Sequence, residues 1–263
     1  AELTPMMQQY FEIKNKNKDY ILFYRLGDFY EMFFDDAKLA SRELELTLTG
    51  RDCGLEERAP MCGVPYHSAE GYIAKLVRKG YKIAICEQME DPKQAKGLVK
   101  REIIRRVTPG TVVEASMLDE NRNNFLGCVY AAGGSIGVCF ADITTGSVYA
   151  TGSNDWKDIA SEFGRFAPRE VLVGGGAISA DSFIAFLKER LEALIEPMPE
   201  ESFEAQRSAE RIEERFHVQD FDAAGLTDLP RTIQCLGGLL DYLEQTQKAS
   251  LSSLNQLQVY HQG

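Results

Sequence analysis

Apolar residues along this chain recur with two different periods, and the switches between them mark out its elements. Met6, Met7, Tyr10 and Phe11 fall near helical spacing, so residues 6–18 are predicted to form an amphipathic helix. Tyr20-Ile21-Leu22-Phe23-Tyr24 is a short continuous apolar run, the pattern of a buried strand. Gly27-Asp28-Phe29-Tyr30-Glu31-Met32-Phe33 follows and leads into residues 34–40, which read as a helix. On this reading Gly27 and Asp28 form a strand-to-helix turn. Asp28 is the N-cap, and Phe29 and Glu31 fall in or beside the first helical turn. Polar residues 50–58, with Gly50 and Gly54, predict a loop or hairpin tip. Residues 61–66 are strand-like but broken by Pro65. Ser68 is placed to cap a helix over 69–79, which Gly80 stops. A strand over 81–86, a loop over 90–98, a partly alternating strand over 99–107 and a Pro109-Gly110 turn complete a small mixed α/β domain.

The second half has a different rhythm. Strands are predicted over 125–131, 136–143 and 147–151, separated by Gly133-Gly134 and Thr145-Gly146 at hairpin-like spacing. A helix over 156–166, a strand over 170–173, a glycine loop and helices over 182–194 and 204–216 follow. Three antiparallel strands and then alternating helix and strand are the order of an RNase H-like sheet. Residues 229–247 predict a last amphipathic helix with Ile233, Leu236, Leu240 and Leu243 on one face. Gly237 and Gly238 interrupt it, at about 1 kcal/mol each relative to Ala. Close packing against a neighbour would explain them. Leu257-Gln258-Val259-Tyr260 is strand-like again.

Composition narrows the function. A chain of 263 residues suits one or two domains. No apolar run approaches the ~18–20 residues of a membrane span, and no signal peptide precedes the first strand, so a cytoplasmic location without membrane contact is expected. The six cysteines are dispersed without a CxxC pair, and His67, His217 and His261 lie far apart. Reduced thiols and no metal site are expected. Gly174-Gly175-Gly176 lacks the lysine and Ser/Thr of a P-loop, and GxxxxGK[ST] occurs nowhere, so no ATP binding by that motif is expected. The net charge of −11 argues against nucleic acid until it is divided. Residues 1–115 carry 18 basic and 18 acidic side chains, whereas residues 116–263 carry 11 and 22. The acidic half repels phosphates and suits a protein partner. In the neutral half Lys93, Lys96, Lys100, Arg101, Arg105 and Arg106 fall within fourteen residues, opposed in that stretch only by Glu102. They are candidate phosphate contacts; the alternative is a solvated strand edge and loop.

The sharpest candidate pair is Phe29 and Glu31. The plain alternative for Phe29 is a core aromatic, since Phe23, Tyr24, Tyr30, Phe33 and Phe34 surround it and most must be buried. Glu31 could equally be a solvated carboxylate at a helix start. Together they fit another use: a ring that wedges into a stack and a carboxylate that hydrogen-bonds what the ring displaces. Tyr30 and Met32 read as packing. Pro65-Tyr66-His67 reads as a turn and cap, and Lys75, Arg78 and Lys79 as solvated helix charges. The rival reading is a metal-dependent nuclease of RNase H type built from Asp119, Glu120, Asp142, Glu162 and Glu170, although no spacing singles these out. A purely protein-binding module is the third reading, for the acidic half.

Four segments, in order, carry a resemblance: LFYRLGDFYEMF (22–33), APMCGVPYH (59–67), AICEQ (84–88) and VTPGT (107–111). They resemble the N-terminal region of the MutS family, which recognises DNA mismatches. The resemblance implies a mismatch-binding domain over 1–115, a linker over 116–124, an RNase H-like connector domain over 125–246, and over 247–263 the start of a core domain. Core, clamp and ATPase regions would lie beyond residue 263. The resemblance further implies that Phe29 stacks on a mispaired base from the minor groove and that Glu31, protonated, donates a hydrogen bond to a base nitrogen. Implied partners are double-stranded DNA with mismatches or small loops, a MutL-like protein at the connector, and a second copy in a homodimer. ATP and Mg²⁺ are implied only for the ATPase region, with no cofactor and no catalytic residue in this segment, and with a nucleoid-associated location in the cytoplasm.

Overall fold

The computed structural model describes residues 2–114, 117–119, 122–247 and 253–261. The chain divides into two compact units, 1–108 and 109–263.

The first unit begins with α1 (Pro5–Asn15), with Pro5 at the first turn and the Thr4 hydroxyl accepting from Met7 N. Strands β1 (Ile21–Leu26) and β2 (Phe29–Phe33) then form an antiparallel hairpin whose last pair is Leu26 opposite Phe29. The predicted strand-to-helix turn is therefore a two-residue hairpin turn. Gly27 sits at its first central position with φ +60°, a conformation that costs an L-residue ~1–2 kcal/mol. Asp28 caps no helix; its carbonyl accepts from Tyr66 N at 2.9 Å. Helix α2 (Phe34–Leu44) starts only after β2. Asp36 in its first turn accepts from Leu22 N at 3.0 Å and pairs with Lys14 at 2.8 Å, which ties α2 to β1 and α1.

Strands β3 (Thr49–Arg51), β4 (Ala59–Pro65), β5 (Ile83–Gln88) and β6 (Arg101–Val107) complete a sheet in the order β3-β4-β2-β1-β5-β6, in which only β1 and β5 run parallel. Helix α3 (Ala69–Arg78) joins β4 to β5. Gly80 ends it as expected, at φ +95° with its amide on Val77 O. Ser68 does not cap it through its side chain: the hydroxyl donates to Pro65 O instead. One sheet face, with Leu22, Tyr24, Phe33, Ala84 and Cys86, packs on Met7 and Tyr10 of α1. Phe23, Tyr30 and Met32 point the other way, as strand alternation requires.

The second unit follows the RNase H-like order. Strands β7 (Leu126–Ala132), β8 (Ser135–Asp142) and β9 (Ser147–Ser153) are antiparallel neighbours, and β10 (Glu170–Gly175) runs parallel to β7. α4 (Trp156–Phe166) connects β9 to β10. The helix expected over 182–194 is shorter. It is α5 (Asp181–Ala185) widening into a π-type turn through Arg190, and Leu194–Pro197 forms β11, parallel to β10. Four residues without an alternating pattern left no period to read. α6 (Ala205–Phe216) and α7 (Pro230–Thr246) cover one sheet face, and α4 and α5 the other. Gly237 and Gly238 explain themselves: a Cβ there would lie 1.9 Å from Ser208 Oγ and 2.2 Å from the Phe203 ring. Residues 256–259, within the tail that the sequence assigns to a further domain, form β12 (Gln256–Val259), the sixth strand of this sheet, parallel to β9. Part of the expected 116–124 linker lies outside the described residues. Among the described residues, no helix is long and apolar enough to cross a membrane.

Candidate nucleic-acid interface

Strand alternation puts Phe29, Glu31 and Phe33 on one face of β2, the face that α1 covers. The cover is incomplete. Phe33 is fully buried, 5.1 Å from the Tyr10 ring. Glu31 is half-buried, and Phe29, outside the cluster packed on α1, is 43% exposed. The tip of the hairpin therefore presents a bare ring with a carboxylate one step behind it. Tyr30 and Met32 are buried on the opposite face, as expected.

Glu31 lies between Tyr24 on β1 and Gly63 on β4, its two cross-strand partners. Its carboxylate rests directly on Gly63, where a Cβ would come within 2.1 Å of Oε2. Sequence reasoning missed Gly63, although a glycine inside a strand-like run signals close approach. Among the described residues Glu31 makes no hydrogen bond or ion pair. Burial raises its carboxyl above the usual range, with Arg51 pulling weakly the other way. A half-desolvated, unpaired carboxyl beside an exposed ring can take up a proton and donate a hydrogen bond to a ligand acceptor.

Two domain descriptions match the chain: MutS domain I over residues 4–116 and MutS domain II over 124–258. The chain belongs to the MutS family. It is 51% identical over 265 residues to the DNA mismatch repair protein MutS of Acetivibrio thermocellus, covering 99% of this chain and 30% of that protein. It is 49% identical over 266 residues to MutS of Ruminiclostridium cellulolyticum, covering 98% and 30%. MutS of Lachnoclostridium phytofermentans is likewise 49% identical over 260 residues, covering 99% and 28%. The chain thus spans about a third or less of the curated relatives it matches.

Within the MutS domain I unit, the basic candidates part company. Lys93, Lys96 and Lys100 are exposed on and beside the loop before β6, and Lys100 pairs with Glu102 at 3.2 Å. Arg101 is a correction: it is buried, donating to Gln9 Oε1 at 2.7 Å, Arg25 O at 2.7 Å and the Tyr24 hydroxyl at 3.2 Å. A guanidinium so engaged is part of the frame and does not face a phosphate. Arg105 is held by Glu70 at 2.6 Å and Arg106 by Asn17 at 3.0 Å, so both are already engaged within the unit. Tyr66 is 45% exposed, with the Arg25 guanidinium stacked 3.8 Å from its ring centroid.

In the MutS domain II unit the described nuclease carboxylates do not converge. Asp142 closes its own β8–β9 turn, accepting from Thr144 N and Oγ1. Glu170 accepts from Gly110 N and the Tyr242 hydroxyl, Glu162 pairs with Arg165, and Asp119 lies 3.8 Å from Arg169. Glu120 lies outside the described residues. Folding does gather Cys128, Cys139 and Cys235, which the sequence leaves dispersed; their sulfur atoms all lie within 4.8 Å of one another. They sit fully buried in an apolar core, and burial pushes the Cys139 and Cys235 thiols well up. Neutral thiols at Cys139 and Cys235 pack there as small apolar groups, whereas Cys128, desolvated but hydrogen-bonded by both, is drawn below the usual thiol range.

Proposed function

We propose that this chain recognises base mismatches and small insertion or deletion loops in duplex DNA, with Phe29 as the stacking wedge and Glu31 as the hydrogen-bonding partner. One observation carries the reading: an exposed ring and an unpaired, half-buried carboxylate share one sheet face at a hairpin tip. The relatives' printed function, DNA mismatch repair, agrees with it. The ring supplies stacking that is cheap at a weakened step and costly at a sound pair. The raised carboxyl supplies a donor without a full charge next to the phosphates. Lys93, Lys96 and Lys100 supply sequence-independent attraction.

In the whole-length protein the acidic connector unit would dock a MutL-like partner. Two copies would pair, and ATP with Mg²⁺ would act in an ATPase region beyond this segment. The test is Phe29→Ala, titrated on matched and mismatched duplex at fixed salt. Loss of base–aromatic stacking, ~1–3 kcal/mol, predicts a fall in mismatch preference of about 5- to 150-fold. Thermal stability should change little, because the ring protrudes. Unfolding on this exchange would make Phe29 a core residue and end the wedge reading.

A further inference from the structure

On its β4 side the hairpin tip that carries Phe29 is held by backbone, with Phe29 paired opposite Pro65 and Asp28 O accepting from Tyr66 N, but on its β5 side it is held by side chains, because the ladder there runs out. The parallel register between β1 and β5 ends at Tyr24 opposite Cys86. Arg25, Leu26 and the turn lie past that point. Glu87, the residue immediately after the last pair, accepts from Arg25 Nη1 at 3.0 and 3.2 Å and from the Tyr30 hydroxyl at 2.6 Å. Arg25 and Tyr30 are direct cross-strand partners, so one carboxylate grips both strands of the hairpin. The neighbouring Gln88 Oε1 accepts from Gly27 N at 3.2 Å, within the turn itself.

We propose that Glu87 is a positioning residue for Phe29, fixing the hairpin tip so that the ring is already aimed before DNA arrives. The inference rests on Phe29 being the stacking residue. Tyr30 and Phe29 are adjacent and point to opposite faces, so anchoring the Tyr30 hydroxyl fixes the rotation of β2 and with it the direction of the Phe29 ring. Charge-assisted hydrogen bonds are the stronger kind, and the Arg25 and Glu87 side chains are only 15% and 21% exposed, so screening is limited. Burial and the adjacent Glu87 push the Tyr30 hydroxyl up to about 12, which keeps its proton available to donate. A pre-aimed ring avoids ordering costs on binding, and the saving appears only where the ring inserts.

The test places Glu87→Gln and Tyr30→Phe in the full-length protein, each alone and each combined with Phe29→Ala. Both duplexes are titrated at fixed salt, and amide hydrogen exchange is followed across β1 and β2. Tyr30→Phe removes a single hydroxyl and guards against a folding defect in the other variant. Each exchange alone should lower mismatch preference about three- to tenfold, the worth of one hydrogen bond. Neither should lower it further once Phe29 is Ala, and exchange should quicken at residues 27–31 but not at 21–24. If Phe29→Ala removes the preference while neither Glu87→Gln nor Tyr30→Phe alters it, the positioning role is wrong and the stacking role stands. Losses that multiply with Phe29→Ala, or exchange that rises along all of β1, would make Glu87 a general structural group. If Phe29→Ala itself leaves the preference intact, the stacking role fails and the positioning role falls with it.

Discussion

The two units of this chain spend their surfaces in opposite ways. Among the described residues, Phe29, Leu48, Leu55, Tyr66, Met89, Leu98 and Ile104 are large apolar side chains left exposed in the first unit, whereas the second exposes only Val113 and Ile178. The first half is electrically neutral, and the second carries the whole excess of acid. The second unit closes two layers of helices over one sheet and turns a charged exterior to solvent. The first leaves one end of a sheet face uncovered, where Phe29 stands. On the proposed reading, a protein need not be basic overall to meet DNA: one small neutral unit with an open apolar tip would suffice, and an acidic neighbour would be left to other partners.

The comparison can be broken most severely in the closed unit. A Cβ on Gly137 would lie 2.3 Å from the Arg231 backbone, which cannot step aside. Gly137→Ala should destabilise the second unit by ~3 kcal/mol, seen as a lowered unfolding transition. If the two units are energetically separate, the first-unit transition will stay in place; a joint shift would show that they are coupled.

In the open unit the same kind of exchange should act on function instead. The three atoms nearest a Cβ on Gly63 all belong to the flexible end of Glu31, so with Gly63→Ala stability should barely move while the carboxylate is displaced. Mismatch preference should drop several-fold, on the order of one lost hydrogen bond, as it should for Glu31→Ala. The two exchanges together should do no more than either alone; additive losses would mean that Gly63 acts apart from Glu31. Glu31→Ala should keep or raise matched-duplex affinity, because a group repelled by phosphates is gone, and Glu31→Gln should retain more preference than Ala.

Neutralising Lys93, Lys96 and Lys100 to Gln should weaken matched and mismatched duplex alike. It should also flatten the dependence of log K on log salt by up to about 3 if all three contact phosphate. An unchanged slope would place the loop away from DNA. The smallest effect concerns pH. The Glu31 carboxyl is raised on folding, so the folded state holds its proton more tightly than the unfolded chain. Its contribution is therefore most favourable below the unfolded value and declines as pH rises through the folded one. Glu31→Gln should raise the melting temperature slightly at neutral pH, with the gain vanishing in acid; a gain that persists in acid would assign the effect to packing.

What the sequence determined by itself was the alternation of elements, and it singled out Phe29 and Glu31 as a candidate pair. Periodicity placed α4 at its observed bounds and the three hairpin strands within a residue or two at most of their ends, because those stretches obey one period from end to end. The Gly237-Gly238 pair announced a close contact before its partners were known. Local pattern misjudged the Gly27-Asp28 turn, since a glycine followed by an acid serves a hairpin as readily as a helix start. The alternating burial of Phe29–Phe33 depends on β1 and β4 lying on either side. Only the tertiary structure decided that Arg101 turns inward, that Gly63 makes room for Glu31, that three distant cysteines meet in one core, and that Glu87 grips both strands of the hairpin. Each of these depends on contacts between residues many positions apart, and such contacts are set by how the elements pack, which no local period encodes.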